Sequence, residues 1–299
     1  MKEFRMRFFS STRALAPLAG AALTFLAAAH PAVADGDLSG AQRIVSIGGD
    51  VTEIVYDLGE QDRLVARDTT SSFPEAATDL PDVGYMRALA PEGVLSVKPD
   101  GILTIEGSGP PQALDVLARA GVPVATIPNG FTRDAVVAKI EAVGKALGVP
   151  EKAAPLAEKA GKSLDDAIAE ARAIDRDTRV LFILSMQGGR IMGAGSDTAA
   201  AGILELAGLT NAITGMTGYK QLSDEAVIAA APDVVLMIDR GAGHVVDPEE
   251  LFSNAALSQT PAGREHRLVR MDGLFLLGFG PRTAEAVRDL SSRLAADGL

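Results

Sequence analysis

An internal repeat is the feature of the sequence that most limits its fold. Residues 84–103 read GYMRALAPEGVLSVKPDGIL, and residues 218–236 read GYKQLSDEAVIAAAPDVVL. Glu92 aligns with Glu225, and the Pro-Asp pairs that follow align at the same separation. Repetition of this kind indicates two similar structural units. The equivalent turns of the two units are then expected to face a shared cleft, which is a common place for a ligand site.

Apolar runs alternate with helical patterns in both halves, as is typical of α/β units with a mainly parallel sheet. In the first half, strands are predicted at residues 43–47, 64–68, 101–105 and 122–127, and helices at 51–59, 112–121 and 133–148. In the second half, strands are predicted at 179–184, 233–238 and 267–271, and helices at 198–208 and 283–296.

One long helix is predicted between the halves. Residues 151–176 are rich in Ala, Glu and Lys, with an early kink expected at Pro155. Its length, roughly 36 Å, is enough to connect two lobes. We therefore predict an α/β fold of two similar lobes with mainly parallel central sheets, at 35–150 and 177–299. The single long helix joins them, and a ligand cleft lies between them.

The N-terminus has the pattern of a secretory signal peptide over residues 1–34. A basic start precedes a charge-free run at 14–29, and Ala32 and Ala34 occupy the small-residue positions of a cleavage site. The alternative is a membrane anchor, but the run is shorter than the ~20 apolar residues that span a bilayer. Cleavage removes four basic residues and one acidic residue, so the net charge falls from −11 to −14.

Composition excludes several classes of function. The chain has no Cys, which excludes disulfides, thiolate metal sites and a Cys nucleophile. Its net charge of −11 argues against nucleic acid as a partner. His244 and His266 are too few for a three-His zinc site and are predicted to be surface residues.

Two Gly-rich segments do not match nucleotide-binding motifs. GAGSDT at 193–198 lacks the third Gly of a dinucleotide fingerprint, and LLGFGPRT at 276–283 lacks the Gly-Lys-Ser/Thr of a P-loop. We predict that both segments form tight turns and helix caps.

The chain has three tyrosines, and they occupy two kinds of position in the sequence. Tyr56 lies on the apolar spacing of the first helix and is predicted to be core, whereas Tyr85 and Tyr219 occupy the repeated Gly-Tyr turns. Beside Tyr85 lie Met86 and Arg87. The residues alone leave two interpretations of this turn equally open: it packs the edge of a lobe, or it binds a ligand.

The ligand-binding interpretation has a specific chemistry. A Tyr oxygen can be an axial ligand of haem iron, and a phenolate suits the ferric state. Arg87 could pair with a propionate, because its planar fork matches a carboxylate. Met86 could pack against the porphyrin edge.

Over residues 40–299 the chain resembles the periplasmic haem-binding proteins that deliver haem to bacterial ABC importers. These are related to cobalamin and siderophore binders with two lobes joined by one long helix. The segments that carry the resemblance are 43–59, 80–103, 193–208 and 276–283, of which GYMRAL followed by EGVLS is the most specific.

The resemblance implies a role for individual residues. Tyr85 would be the axial ligand of ferric haem b, and Arg87 would lie near a propionate. Arg240, at the end of the segment VVLMIDR, corresponds to an arginine that approaches the haem from the second lobe. Met186 and Tyr219 are expected to line the pocket with Met86.

The resemblance also implies partners. Glu92 and Glu225 resemble paired glutamates that dock on the arginines of an ABC permease dimer; acidic residues are also favoured in the first turn of any helix. We expect a periplasmic monomer, with an outer-membrane haem receptor acting upstream.

One segment departs from the family's pattern. Some members have a His after the strand VLFIL that helps to hold a second haem, but residues 185–189 here are Ser-Met-Gln-Gly-Gly. A second haem is therefore not predicted. Two alternatives stay open: a binder of cobalamin or a ferric siderophore on the same fold, and an exported enzyme, for which no paired-carboxylate motif is found.

Overall fold

Two β-sheets organise the chain in the computed structural model, which describes residue 1 and residues 36–174, 177–239 and 246–296. The described residues from 36 onward form one compact unit. Apart from Met1, the predicted signal peptide lies outside the described residues. None of the helices in the described ranges combines the length and hydrophobicity needed to cross a bilayer.

The first lobe is built on a four-stranded parallel sheet. Its strands are β1 (Ile44–Ile47), β2 (Leu64–Arg67), β3 (Gly101–Ile105) and β4 (Val124–Ile127), and its helices are α1 (Gly49–Asp57), α2 (Pro91–Ser96), α3 (Pro111–Arg119) and α4 (Arg133–Leu147). The strand order is β2-β1-β3-β4. The central strands β1 and β3 are buried throughout, as expected where both faces of a parallel sheet are covered, whereas the edge strands alternate.

A mixed sheet forms the second lobe. Its strands are β5 (Arg179–Gln187), β6 (Arg190–Ala194), β7 (Thr210–Asn211), β8 (Tyr219–Gln221), β9 (Val234–Asp239) and β10 (Leu268–Asp272). The order is β10-β9-β5-β6-β8, with β7 beside β5. Strands β5, β9 and β10 are parallel, but β6 is antiparallel to β5 and to β8. The predicted mainly parallel pattern therefore holds for only part of this sheet.

A hairpin accounts for the difference. Strand β5 continues past residue 184, where the sequence predicted its end, to Gln187. Gly188 and Gly189 then form a two-residue turn with φ angles of 56° and 76°, and Arg190 pairs with Gln187. Two consecutive positive φ angles suit the turns that reverse a chain between antiparallel strands.

The remaining helices connect and cover the second lobe. They are α5 (Pro150–Arg172), α6 (Ala199–Leu206), α7 (Asp224–Ala230), α8 (Pro248–Phe252), α9 (Pro261–Glu265), α10 (Gly273–Leu277) and α11 (Thr283–Ala296). Short 3₁₀ helices lie at Gln61–Arg63, Glu75–Asp79 and Leu257–Gln259.

Helix α5 contacts both lobes. Its 23 residues, about 34 Å long, run through Pro155 and pack against α4 of the first lobe and α11 of the second. Arg133 of α4 is 2.9 Å from Asp165, and Arg288 of α11 is 2.7 Å from Glu170. The long helix is thus attached to each lobe by packing and by an ion pair.

One buried hydrophobic cluster runs through both lobes. Its members include Ile54 of α1, Leu164 of α5, Phe182 of β5 and Leu290 of α11. The α/β prediction with two lobes joined by one long helix is confirmed. The boundaries 35–150, 151–176 and 177–299 stay predictions.

Candidate ligand-binding site

Tyr85 lies on a turn of the first lobe, and backbone hydrogen bonds hold this turn both before and after Tyr85. The Thr69 amide donates to the Gly84 carbonyl at 3.0 Å, and the Ala88 amide donates to the Tyr85 carbonyl at 2.8 Å. Gly84 has a φ of 100°, which favours glycine. The Tyr85 side chain is 45% exposed, so its phenol is accessible rather than packed in a core.

The side chains of Met86 and Arg87 lie in different surroundings. Met86 is half-buried and packs against two hydrophobic clusters, one within the first lobe and one that runs through both lobes. The Thr70 hydroxyl donates to its sulfur at 3.9 Å. Arg87 is exposed and forms no salt bridge within the described part of the chain. Among those residues its guanidinium has no carboxylate partner, so it could pair with a carboxylate of a ligand.

Tyr219 of the second lobe is the repeat equivalent of Tyr85. It is half-buried beside Phe182, with ring centroids 6.2 Å apart. Burial raises the pKa of Tyr219 above its ordinary value of 10.0, although the Ala200 amide, the Thr198 hydroxyl and the Arg87 charge oppose the shift. Tyr219 is therefore protonated at neutral pH. Arg87 of the first lobe is thus close enough for its charge to lower the pKa of Tyr219 in the second lobe.

The other predicted site residues are placed differently. Met186 is only 7% exposed and packs in the core of the second lobe. Arg240 and His244 lie outside the described residues. His266 is exposed, as predicted, and stacks on Phe252 with ring centroids 4.9 Å apart.

Glu92 and Glu225 occupy equivalent positions in the two lobes. Each is exposed and is the second residue of a short helix, α2 or α7. The backbone amide of Glu225 and the Ser223 hydroxyl lower the pKa of Glu225, so that carboxylate is ionised at neutral pH. The sequence repeat thus corresponds to a repeat in structure.

A cluster of ion pairs joins the lobes, and no motif in the sequence indicates it. Glu53 of α1, 3% exposed, accepts two hydrogen bonds from Arg282 of the second lobe, at 2.9 and 2.8 Å. The same guanidinium lies 3.5 Å from the ring centroid of Phe73. We call Asp50, Glu53, Lys139 and Arg282 the interlobe ion-pair cluster.

Lys139 is the most buried member of this cluster. It is 0% exposed, it pairs with Asp50 of α1, and it donates to the Gly278 carbonyl of the second lobe at 3.2 Å. A lysine within the apolar pattern of α4 is the sequence signal that could have indicated a buried partner. The cluster fixes the first lobe to the segment that follows α10.

Both Gly-rich segments supply a helix cap, as predicted, although Gly193 lies in strand β6 rather than in a turn. In 193–198, Thr198 caps α6 by accepting a hydrogen bond from the Ala201 amide. In 276–283, Gly278 ends α10 and supplies the carbonyl that Lys139 contacts.

Close packing between the lobes adds to these polar contacts. The Phe279 ring contacts the Phe131 ring of the first lobe edge-on, with centroids 5.3 Å apart. A Cβ atom on Gly202 of α6 would lie 2.5 Å from the Cβ of Phe131, so the close approach of α6 to the first lobe requires glycine.

Comparison with known proteins agrees with this architecture. Periplasmic heme-binding protein BhuT, solved in complex with two hemes, has a TM-score of 0.80 and 40% identity, covering 85% of this chain and 98% of that chain. Periplasmic heme-binding protein RhuT from Roseiflexus sp. RS-1, solved in apo form, has a TM-score of 0.82 and 38% identity, covering 87% and 100%.

Two further relatives match different lengths of this chain. An uncharacterized ABC transporter substrate-binding lipoprotein, YvrC of Bacillus subtilis, is 29% identical over 86% of this chain and 81% of its own length. The vitamin B12-binding protein of Yersinia pestis is 38% identical, but over only 28% of this chain and 30% of its own length. The family described as periplasmic binding protein matches residues 44–273, and the chain therefore belongs to it.

Proposed function

We propose that this protein binds haem in the periplasm and delivers it to an ABC importer. The observation that carries the proposal is Tyr85: an accessible phenol on a hydrogen-bonded turn, two residues before the exposed Arg87. The similarity to haem-binding structures at 38–40% identity supports the same ligand. The family and these neighbours are substrate-binding transport proteins rather than enzymes.

The chemistry assigned to each residue follows from its surroundings. Ferric iron favours an anionic oxygen ligand, so Tyr85 would bind as a phenolate. Arg87, which is exposed, would pair with a propionate, and the half-buried Met86 would contact the porphyrin edge. Tyr219 stays neutral and could donate a hydrogen bond from the second lobe. Arg240 keeps its proposed place near the haem.

Met186 is not part of the proposed site. Its side chain is 7% exposed and lies among core residues of the second lobe. A side chain in that position has little surface left to offer a ligand.

Transport requires further steps outside this chain. We propose that the signal peptide at 1–34 directs export, that the protein acts as a monomer, and that a receptor in the outer membrane supplies the haem. The interlobe ion-pair cluster would restrict closure of the cleft, so the protein would present haem to the permease with little change in lobe orientation.

Titration with haemin tests the proposed ligand. We expect a saturable shift of the Soret band with wild-type protein, and we expect that a large excess of cyanocobalamin or a ferric siderophore leaves the bound haemin in place. The partial match to a vitamin B12-binding protein makes cobalamin the necessary competitor. Displacement of haemin by cobalamin would contradict the proposal, and the end point of the titration gives one or two haems per chain.

Reversing the charge of both repeated glutamates should uncouple binding from transport. For Glu92→Arg with Glu225→Arg, we expect haem uptake to fall at least about tenfold, because like charges would oppose each other at the permease surface. Haemin affinity should be unchanged. The measurement is haem uptake by cells that depend on this protein.

Glu249→Arg is the matched control for charge reversal. Glu249 is also an exposed acid in the first turn of a short helix, but it lies outside the repeat. Normal uptake by the double variant, or an equal loss with the control, would contradict docking through Glu92 and Glu225.

A further inference from the structure

Asp82 holds three hydrogen-bond donors beside the Tyr85 turn. Its Oδ1 atom accepts from the Gly84 amide at 2.8 Å and from the Thr69 hydroxyl at 3.1 Å. Its Oδ2 atom accepts from Nη1 of Arg67 at 3.1 Å. One carboxylate therefore links the turn to the end of β2 and to the residues that follow it.

Backbone hydrogen bonds join the same two segments. The Arg67 amide donates to the Pro81 carbonyl at 3.0 Å, and the Val83 amide donates to the Arg67 carbonyl at 2.9 Å. Arg67 and Asp82 form an isolated parallel bridge. Residues 81–84 are thus attached to the edge of the first sheet, and Tyr85 is the next residue.

No side chain could be packed at Gly84 itself, although Val83 belongs to a hydrophobic cluster of the first lobe and Met86 packs against it. Gly84 has a φ of 100°, and a Cβ atom placed on it would find nothing within 4 Å. The two neighbours of Gly84 differ in exposure: Val83 is 7% exposed and Tyr85 is 45% exposed. Between the buried Val83 and the exposed Tyr85, the Gly84 amide bonds to Asp82 at 2.8 Å, at the point where the chain turns outward.

We propose that Asp82 is a positioning residue for the haem ligand: its carboxylate fixes the Gly84 amide and thereby the direction of the Tyr85 side chain. The inference rests on the proposed function and makes it more specific. Asp82 does not touch the iron, and it acts through the backbone of the turn. A ligand presented in one orientation before haem arrives avoids part of the entropic cost of ordering it on binding.

The test compares Asp82→Ala with Asp82→Asn. The Ala variant loses the acceptor for all three donors, whereas Asn keeps Oδ1 for Gly84 and Thr69. Partners that orient metal ligands are worth about 10- to 100-fold in affinity. We expect haemin to dissociate about tenfold faster from Asp82→Ala, with a weaker phenolate-to-iron absorption band, and Asp82→Asn to restore both to near the wild-type values.

Controls separate positioning from general effects. Asp79→Ala removes an exposed carboxylate from the same segment and should leave the rate and the band unchanged. If Asp82→Ala keeps the wild-type haemin dissociation rate and absorption band, the inference is overturned. Equal losses in the Ala and Asn variants would also overturn it, because the effect would then come from the charge of Asp82. If wild-type protein fails to bind haemin, the proposed function fails; if it binds through Tyr85 and Asp82→Ala is unchanged, only this inference fails.

Discussion

Tyr85→Phe is expected to weaken ferric haem binding at least about 100-fold. The substitution removes one oxygen and keeps the ring, so packing at the turn is preserved while the iron loses its proposed protein ligand. Loss of a partner that only orients a ligand costs about 10- to 100-fold, and loss of the ligand itself should cost no less. The rate of haemin transfer to a haem-scavenging apoprotein measures the effect.

Tyr219→Phe provides the matched control. Tyr219 is the repeat equivalent of Tyr85, but its phenol is half-buried and its pKa is raised by burial, so it is a poor candidate for a phenolate. We expect its loss to change affinity less than about tenfold, the value of one hydrogen bond. Equal losses in the two variants, or a larger loss for Tyr219→Phe, would contradict the assignment of Tyr85.

Lys139→Met is expected to lower the free energy of unfolding by about 3–5 kcal/mol. Lys139 is 0% exposed and pairs with Asp50, which is 7% exposed, so the substitution leaves a carboxylate buried without its partner. Breaking a buried pair on one side carries a cost of this size. It also removes the hydrogen bond to the Gly278 carbonyl of the second lobe. Urea denaturation monitored by circular dichroism measures the change.

An exposed ion pair gives the comparison for Lys139. Lys162 lies 3.0 Å from Asp166 on α5, but its side chain is 76% exposed. Because solvent screens such a pair, Lys162→Met should change stability by less than about 1 kcal/mol. If Lys139→Met is no more destabilising than Lys162→Met, the interlobe ion-pair cluster does not hold the lobes together.

Local patterns in the sequence predicted the first lobe well. The run GILTI at 101–105 became β3 without change, since a fully buried parallel strand is a continuous apolar segment. The helix predicted at 133–148 became α4, which begins after the Thr132 cap and ends at Gly148 in the left-handed conformation. In these elements the local signals and the final packing agree.

The second lobe shows where local patterns are insufficient. The strands β6 and β8 are short and contain charged or small residues, and their pairing depends on a hairpin at Gly188-Gly189 that the apolar pattern does not indicate. Met186 consequently lies inside a strand with its side chain in the core, rather than in a loop beside a ligand.

Local sequence patterns did not predict the contacts between the lobes. Glu53 and Arg282 are 229 residues apart in the sequence, and neither belongs to a motif that would predict the other as its partner. Only the repeat, with its equivalent Tyr85 and Tyr219, predicted that residues from both lobes would meet. The charge of Arg87 lowers the pKa of Tyr219 across the lobes, whereas the role of Tyr85 as an iron ligand stays a prediction.

Resonance Raman spectroscopy of the ferric haemin complex tests the central claim most directly. Excitation into the phenolate-to-iron band enhances the vibrations of a tyrosine only if its oxygen is bound to the iron. The account predicts these phenolate modes in wild-type protein and in Tyr219→Phe, and their absence in Tyr85→Phe. Phenolate modes that persist in Tyr85→Phe, or that are absent from the wild-type complex, would contradict it.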